Sequence, residues 1–145
     1  MVGDLQFAFS AVALVGIDLA KEVLASKDGP SFLAMAKRRG ATMTDGTPVL
    51  GDLVVFDRVR GKEPASLVGV VVSSRRDATV EFIYLQRGVV RRGYMNLRRP
   101  TAKRDRSGRV LNTHIRGNDG KDPRGTRYLA GELFASFVRL ERLAR

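Results

Sequence analysis

The stretch "GDLVVFDRVRGKEPASLVGVVVSSRRDATVEFIYLQRGVV", Gly51 to Val90, decides the fold. Leu53 to Phe56 is a short apolar run. Leu67 to Val72 is apolar on both faces, as expected of a central strand. Thr79 to Leu85 is β-branched and aromatic, which predicts a third strand, and "SSRRDAT" before it reads as a hairpin loop. Gly88 to Arg92 is expected to be a fourth strand paired across "QRG". The rhythm is that of a β-meander on which enzymes often carry catalysis. Yet the stretch contains no histidine, and the whole chain contains no cysteine.

Outward from the meander, the N-terminal side reads as helical. Leu5, Phe9, Val12 and Val15 recur at helical spacing, with Asp4 placed to cap and Gly16 to stop the helix. "KDGP" marks a turn. Ser31 is placed to cap a second helix, Phe32 to Arg39, with Phe32, Leu33, Met35 and Ala36 facing inward and Gly40 closing it. "TDGTPVLGD" is a turn-rich connection. Beyond the meander, "RRGYMNLRRP" is expected to leave the sheet. Thr101 to Arg127 is dominated by glycine, proline and charge, which predicts surface loops with some disorder. Ala130 to Leu143 reads as a helix, with Leu133, Phe137 and Leu140 along one face. The expected architecture is α+β: N-terminal helices packed on an antiparallel β-meander sheet, with a C-terminal helix, and the helices gathered on one side of the sheet. The 145 residues suit a single domain. It comprises a core over 1–100, a basic loop-rich segment over 101–128 and the terminal helix over 129–145.

Composition narrows the chemistry. Hydrophobic residues make up 43% of the chain, enough for a packed core, and no apolar run approaches the length of a membrane span. "FAFSAVALVGIDLA" is apolar but lacks a preceding basic region and follows Asp4, so it reads poorly as a signal peptide. Without cysteine there is no disulfide, no thiolate nucleophile and no cysteine metal site. No Walker loop or dinucleotide fingerprint is present, and no cofactor or metal is expected. His114, the single histidine, would act as a general base only beside Ser107 or Asp119; it reads as a loop residue. "GNDGKD", Gly117 to Asp122, has oxygen ligands suited to calcium but lacks the full loop spacing, so it reads as a turn.

The formal charge is +11. It concentrates in Arg87, Arg91, Arg92, Arg98, Arg99, Lys103, Arg104, Arg106 and Arg109, with Asp105 the one acid among them. Such a block favours an anionic partner. Tyr94, an aromatic among arginines, is suited to stack a base while arginines grip phosphates; the same arginines suit carboxylates on a protein or glycopeptide. No nucleic-acid-binding module is recognisable.

"VLGDLVVF" (Val49 to Phe56), "LVGVVV" (Leu67 to Val72), "EFIY" (Glu81 to Tyr84) and "GVVR" (Gly88 to Arg91) follow one another in an order that resembles the papain-like cell-wall hydrolases of the NlpC and CHAP types. The helix "DLQFAFSAVALVGIDL" (Asp4 to Leu19) resembles that family's cysteine helix. The resemblance covers roughly the first two-thirds of the chain. It implies a papain-like fold and a Cys-His-polar triad. Residue by residue, the cysteine position falls at Asp4 and the neighbouring small residue at Gln6. The histidine that opens "HVGI" falls at Leu67, and the third polar residue at Tyr84. Thiol acyl transfer needs a nucleophile, a base and a group that orients the base. Asp4 cannot reproduce a thiolate, and Leu67 cannot accept a proton. The resemblance therefore implies a pseudoenzyme, whose groove lined by Asp4, Gln6, Leu67 and Tyr84 would bind a protein or peptide partner or a cell-wall fragment. Arg87, Arg91, Arg92, Arg98, Arg99, Lys103 and Arg104 would attract the anionic partner. It also points to the cell envelope. Two other readings stand beside it: a nucleic-acid-binding protein using the basic segment, and an enzyme of different chemistry using Asp4 or His114.

Overall fold

The computed structural model describes residues 29–117 and 120–143. The expected first helix, with Asp4 and Gln6, lies outside them. Helix α1 spans Gly29–Arg38. It begins earlier than the sequence pattern places it, so Ser31 is inside the helix rather than capping it. Pro30 accounts for the difference: in the first turn its missing N–H leaves no intrahelical bond unmade. Lys37 and Arg38 occupy the last turn, where cations suit the helix dipole. The helix closes on Gly40, at φ 66°. The Ala41 N–H donates to the Ala36 carbonyl at 2.9 Å and the Gly40 N–H to the Lys37 carbonyl at 3.0 Å, a Schellman pair that a left-handed residue makes possible.

The strands are β1 (Thr42–Met43), β2 (Leu53–Phe56), β3 (Leu67–Ser74), β4 (Thr79–Gln86), β5 (Val89–Asn96) and β6 (Phe134–Val138). They form one six-stranded sheet in the order β1-β6-β2-β3-β4-β5, and every pairing is antiparallel. The molecule is thus α+β, and β2 to β5 are the expected meander.

Three expectations are corrected. First, Arg91 to Asn96 stays in the sheet: β5 pairs with β4 over its whole length, from Gln86↔Val89 to Thr79↔Asn96. Its arginines hid the strand because they lie on an exposed edge, whereas Gly93, Met95 and Asn96 are buried. Second, the C-terminal segment is not one helix. Helix α2 (Ala130–Leu133) runs directly into β6, and helix α3 (Leu140–Leu143) follows. β6 fills the place between β1 and β2, and is buried on both faces over Ser136–Val138. A doubly buried strand carries the same apolar density as a buried helix, so periodicity alone does not separate them. Without β6, the backbone groups on one side of β2 would be buried unpaired. Third, the helices are not on one side. Phe32 and Ala36 of α1 pack with Leu53, Val55, Val68, Val70 and Val138. Ala130 and Leu133 of α2 pack on the opposite face with Val54, Phe56, Val71, Phe82, Tyr84 and Met95.

The second face is built around Phe82. Its ring lies 5.0 Å from that of Phe56 and 5.6 Å from that of Tyr84. Gly69 on β3 and Gly93 on β5 flank it. A Cβ at Gly93 would meet Phe82 Cζ at 2.6 Å, and one at Gly69 would meet Phe82 Cδ2 at 3.1 Å. A glycine inside a strand is a cost to sheet formation unless something must approach closely; at Gly93 it is this ring, and at Gly69 it is the Ile83 carbonyl, 2.9 Å from such a Cβ, together with the ring.

Residues 101–128 contain no helix or extended strand among those described, only the isolated bridges Arg104↔Val110 and His114↔Leu129. Asn112 nevertheless ties the segment to the sheet. Its buried amide oxygen accepts from the N–H groups of Asn96 and Gly131, both at 2.9 Å. Its Nδ2 donates to the carbonyls of Arg99 and Ala102, both at 2.8 Å.

Candidate functional site

Leu67 opens β3 opposite Phe56, and Tyr84 faces Gly69 on β3 and Arg91 on β5. The structure therefore brings Leu67 and Tyr84 onto the same face and into the same apolar cluster. Both are buried, at 8% and 3% exposure, so in this structure they offer a ligand almost no surface. Burial pushes the Tyr84 hydroxyl above its ordinary range, an effect that Arg91 partly offsets. The cluster has the chemistry of a core. Asp4 and Gln6, the other two positions of the expected groove, lie outside the described residues.

Next to that end of the sheet, past the end of β2, is a cleft of about 410 Å³. Arg58, Gly61 and Lys62 line one side, Asp122 to Arg127 the other, and Arg116 and Leu133 complete it. Arg116 is buried and clasps the two loops. Its Nη1 donates to the carbonyls of Arg58 and Gly61, both at 2.6 Å, and its Nη2 to Asp122 at 2.6 Å. The Tyr128 hydroxyl donates to the other Asp122 oxygen at 2.9 Å. The Arg116 guanidinium, then the Tyr128 hydroxyl, hold the Asp122 carboxyl below the usual carboxylate range. Asp122 thus acts as an internal counter-ion, which removes it from any calcium loop in "GNDGKD"; Asn118 and Asp119 are outside the described residues. Among the described residues no cluster of three metal-ligating side chains occurs. The sequence pattern conceals this clasp because Arg116 and Asp122 sit in a segment whose composition reads as solvated loop.

His114 is exposed, its ring edge-on to Tyr128 at 5.0 Å. The Ser107 hydroxyl, one expected partner, donates to Asp105 at 2.7 Å within its own turn. No hydrogen bond links His114 to Ser107, and Asp119 lies outside the described residues.

The seven cations singled out for anion binding are all exposed. Arg87 is at the β4–β5 hairpin tip, Arg91 and Arg92 are on β5, Arg98 and Arg99 lie just past its end, and Lys103 and Arg104 are on the excursion beyond. Arg92 pairs with Glu81 at 2.9 Å; among the described residues it is the one member of the seven in an ion pair. Asn96 Oδ1 accepts from the N–H groups of Arg98 and Arg99, both at 3.0 Å, and Arg104 Nη1 donates to the Gly108 carbonyl at 2.8 Å. The fold adds Arg75 and Arg76, which share a cleft of about 370 Å³ with Arg98. The Arg75 guanidinium lies 4.8 Å above the half-buried Tyr94 ring, so one face of the expected stacking aromatic is already covered by a cation.

The class defined by these features is an α+β domain whose sheet carries an arginine-lined outer edge. The chain matches no protein-family model, no curated protein and no solved structure. No helix among the described residues is long and apolar enough to cross a membrane.

Proposed function

We propose that this chain is a non-catalytic binding module, a pseudoenzyme of the NlpC/CHAP papain-like type, whose partner is an acidic protein or peptide. The observation that carries the reading is the division of labour across the sheet. Leu67, which the resemblance sets at the base position, and Tyr84, which it sets at the orienting position, are both closed into an apolar cluster. Along β5 and its extension, six of the seven exposed cations singled out for anion binding have no ion-pair partner among the described residues. Arginine forks match carboxylates with two parallel hydrogen bonds. Tyr94, covered on one face by Arg75, is a poorer platform for a stacked base, which favours a carboxylate-bearing partner over a nucleic acid.

The test has two arms. Purified protein is titrated with an acidic peptide, with a soluble anionic cell-wall fragment and with a single-stranded oligonucleotide of matched charge. The acidic peptide should bind most tightly, with affinity that falls as salt rises. Incubation with peptidoglycan and acyl-peptide substrates should release nothing above background. Turnover that disappears in Asp4→Ala would overturn the non-catalytic reading. Tighter oligonucleotide binding, lost on neutralising Arg91, Arg92, Arg98 and Arg99, would overturn the choice of partner.

A further inference from the structure

The geometry points to a specific docking mode: we propose that the outer edge of β5, Val89 to Arg92, accepts an extended acidic segment of a protein partner as an added strand. The inference rests on the acidic-partner reading above and says where and how that partner binds.

The backbone defines the edge. Arg87 and Gly88 form the two-residue turn between β4 and β5, and Gln86 faces Val89 across it. On β5, Tyr94 turns its backbone away from β4. Its N–H donates to Thr113 Oγ1 at 2.9 Å and its carbonyl accepts from the Thr113 N–H at 2.9 Å. The Asn96 N–H points the same way, to Asn112 Oδ1 at 2.9 Å. Backbone direction alternates with period two along a strand. Val90 and Arg92 therefore present their N–H and C=O groups on this same outer side, and none of the four has a partner among the described residues. Among the described residues, 112–113 cover one half of this edge and nothing pairs with the other half.

The side chains select the occupant. Val89 and Val90 are 53% and 49% exposed. Alternation puts Val89 and Arg91 on one face and Val90 and Arg92 on the other. A strand laid against this edge meets one valine and one arginine on each face. Its complement carries carboxylates opposite Arg91 and Arg92 and aliphatic side chains opposite Val89 and Val90. Arg87 adds a third cation at the tip and holds φ at 52°, a conformation for which asparagine or glycine is the favoured residue. A second copy of this chain is a poor occupant, because two-fold pairing would crowd Arg87, Arg91 and Arg92 of both copies into one short ladder, where facing like charges destabilise. The alternative role for edge arginines, protection against non-specific strand pairing, gives the opposite result in the experiment.

The probe is an end-capped, fluorescein-labelled peptide of two glutamates and two valines, repeated once, titrated into the 145-residue chain. Binding is read by fluorescence anisotropy and by amide hydrogen exchange. The proposal expects saturable binding, with slowed exchange at the Val90 and Arg92 amides. It expects affinity about tenfold weaker for a peptide N-methylated at alternate residues, which cannot form the ladder. Val90→Pro should weaken binding similarly, because it removes an outward N–H while leaving the β4 ladder intact; an unchanged circular-dichroism spectrum establishes its fold. Arg91→Ala keeps the backbone and tests charge alone. Equal affinity for the N-methylated peptide, or protection confined to Arg98 to Arg104, overturns the edge while leaving the acidic-partner reading intact. No binding by any acidic peptide overturns both.

Discussion

The ring of Phe82 lies against the Cα of Gly93, close enough that a methyl group there would stand 2.6 Å from Cζ. This contact sets the register of β5 on β4, since Phe82 and Gly93 are directly opposite in the ladder. Gly93→Ala should destabilise the protein by about 1–3 kcal/mol through overpacking. Thermal unfolding measures the loss. Adding Phe82→Leu should recover part of it, and a double-mutant cycle reads the coupling; strictly additive losses would show that the contact does not govern the site.

Asp52, in the "GDLVVF" run, is buried and holds the exit of β6. Its two oxygens accept from Arg139 Nε at 3.2 Å and Nη2 at 3.1 Å, and one also accepts from the Val49 N–H at 2.9 Å. The bond to Asp52 raises the Arg139 guanidinium above its already high range. Asp52→Ala leaves Arg139 without its carboxylate partner and should lower stability, by less than the loss of a fully buried pair because Arg139 is partly exposed. Urea denaturation gives the value.

The clasp of Arg116, Asp122 and Tyr128 predicts an acid-sensitive cleft. The folded carboxyl of Asp122 lies below its ordinary value, so its contribution is complete above about pH 4, the unfolded carboxylate range, and is lost as pH falls through the lowered folded value. Protection of the amides in residues 57–63, referred to the intrinsic exchange rate at each pH, should fall on acidification below that range. In Asp122→Asn the same amides should exchange faster at neutral pH and lose this acid dependence.

Asn112 predicts a large effect from a small change. Asn112→Asp preserves shape but replaces the two donations to the Arg99 and Ala102 carbonyls with repulsion. The expected loss is roughly 3 kcal/mol, measured by chemical denaturation, with proteolysis of residues 97–110 accelerated before global unfolding.

Leu67→Ala separates a core from a groove. As a buried cluster residue it should lose about 2–4 kcal/mol of stability by leaving a cavity, while affinity for the acidic peptide remains unchanged. A loss of affinity without a loss of stability would place Leu67 in the binding surface instead.

Four strands are legible because their residue types are distinctive: β-branched and aromatic runs between turn residues. Their ends are less so. β5 reads as a strand only as far as Arg92, because arginines dominate its exposed edge and conceal the buried Gly93 and Met95. β6 reads as a helix because Leu133, Phe137 and Leu140 satisfy that period, and its strand character comes from the unpaired side of β2 that it fills. For the site, the excess of arginine is visible in the sequence, but not that Arg75 reaches Tyr94 from another hairpin, nor that Arg116 is internal.

Sequence by itself determined the meander, the basic character of the segment beyond it, and the absence of any thiol chemistry, since these depend on residue type and short-range period alone. Tertiary structure decided where the last described strand inserts, which face each described helix covers, which charges are neutralised within the fold, and which half of β5 pairs with residues 112–113. These depend on backbone hydrogen bonds and burial between residues far apart in the chain. In an antiparallel sheet a partner strand is chosen by the edge it must satisfy as much as by its own pattern.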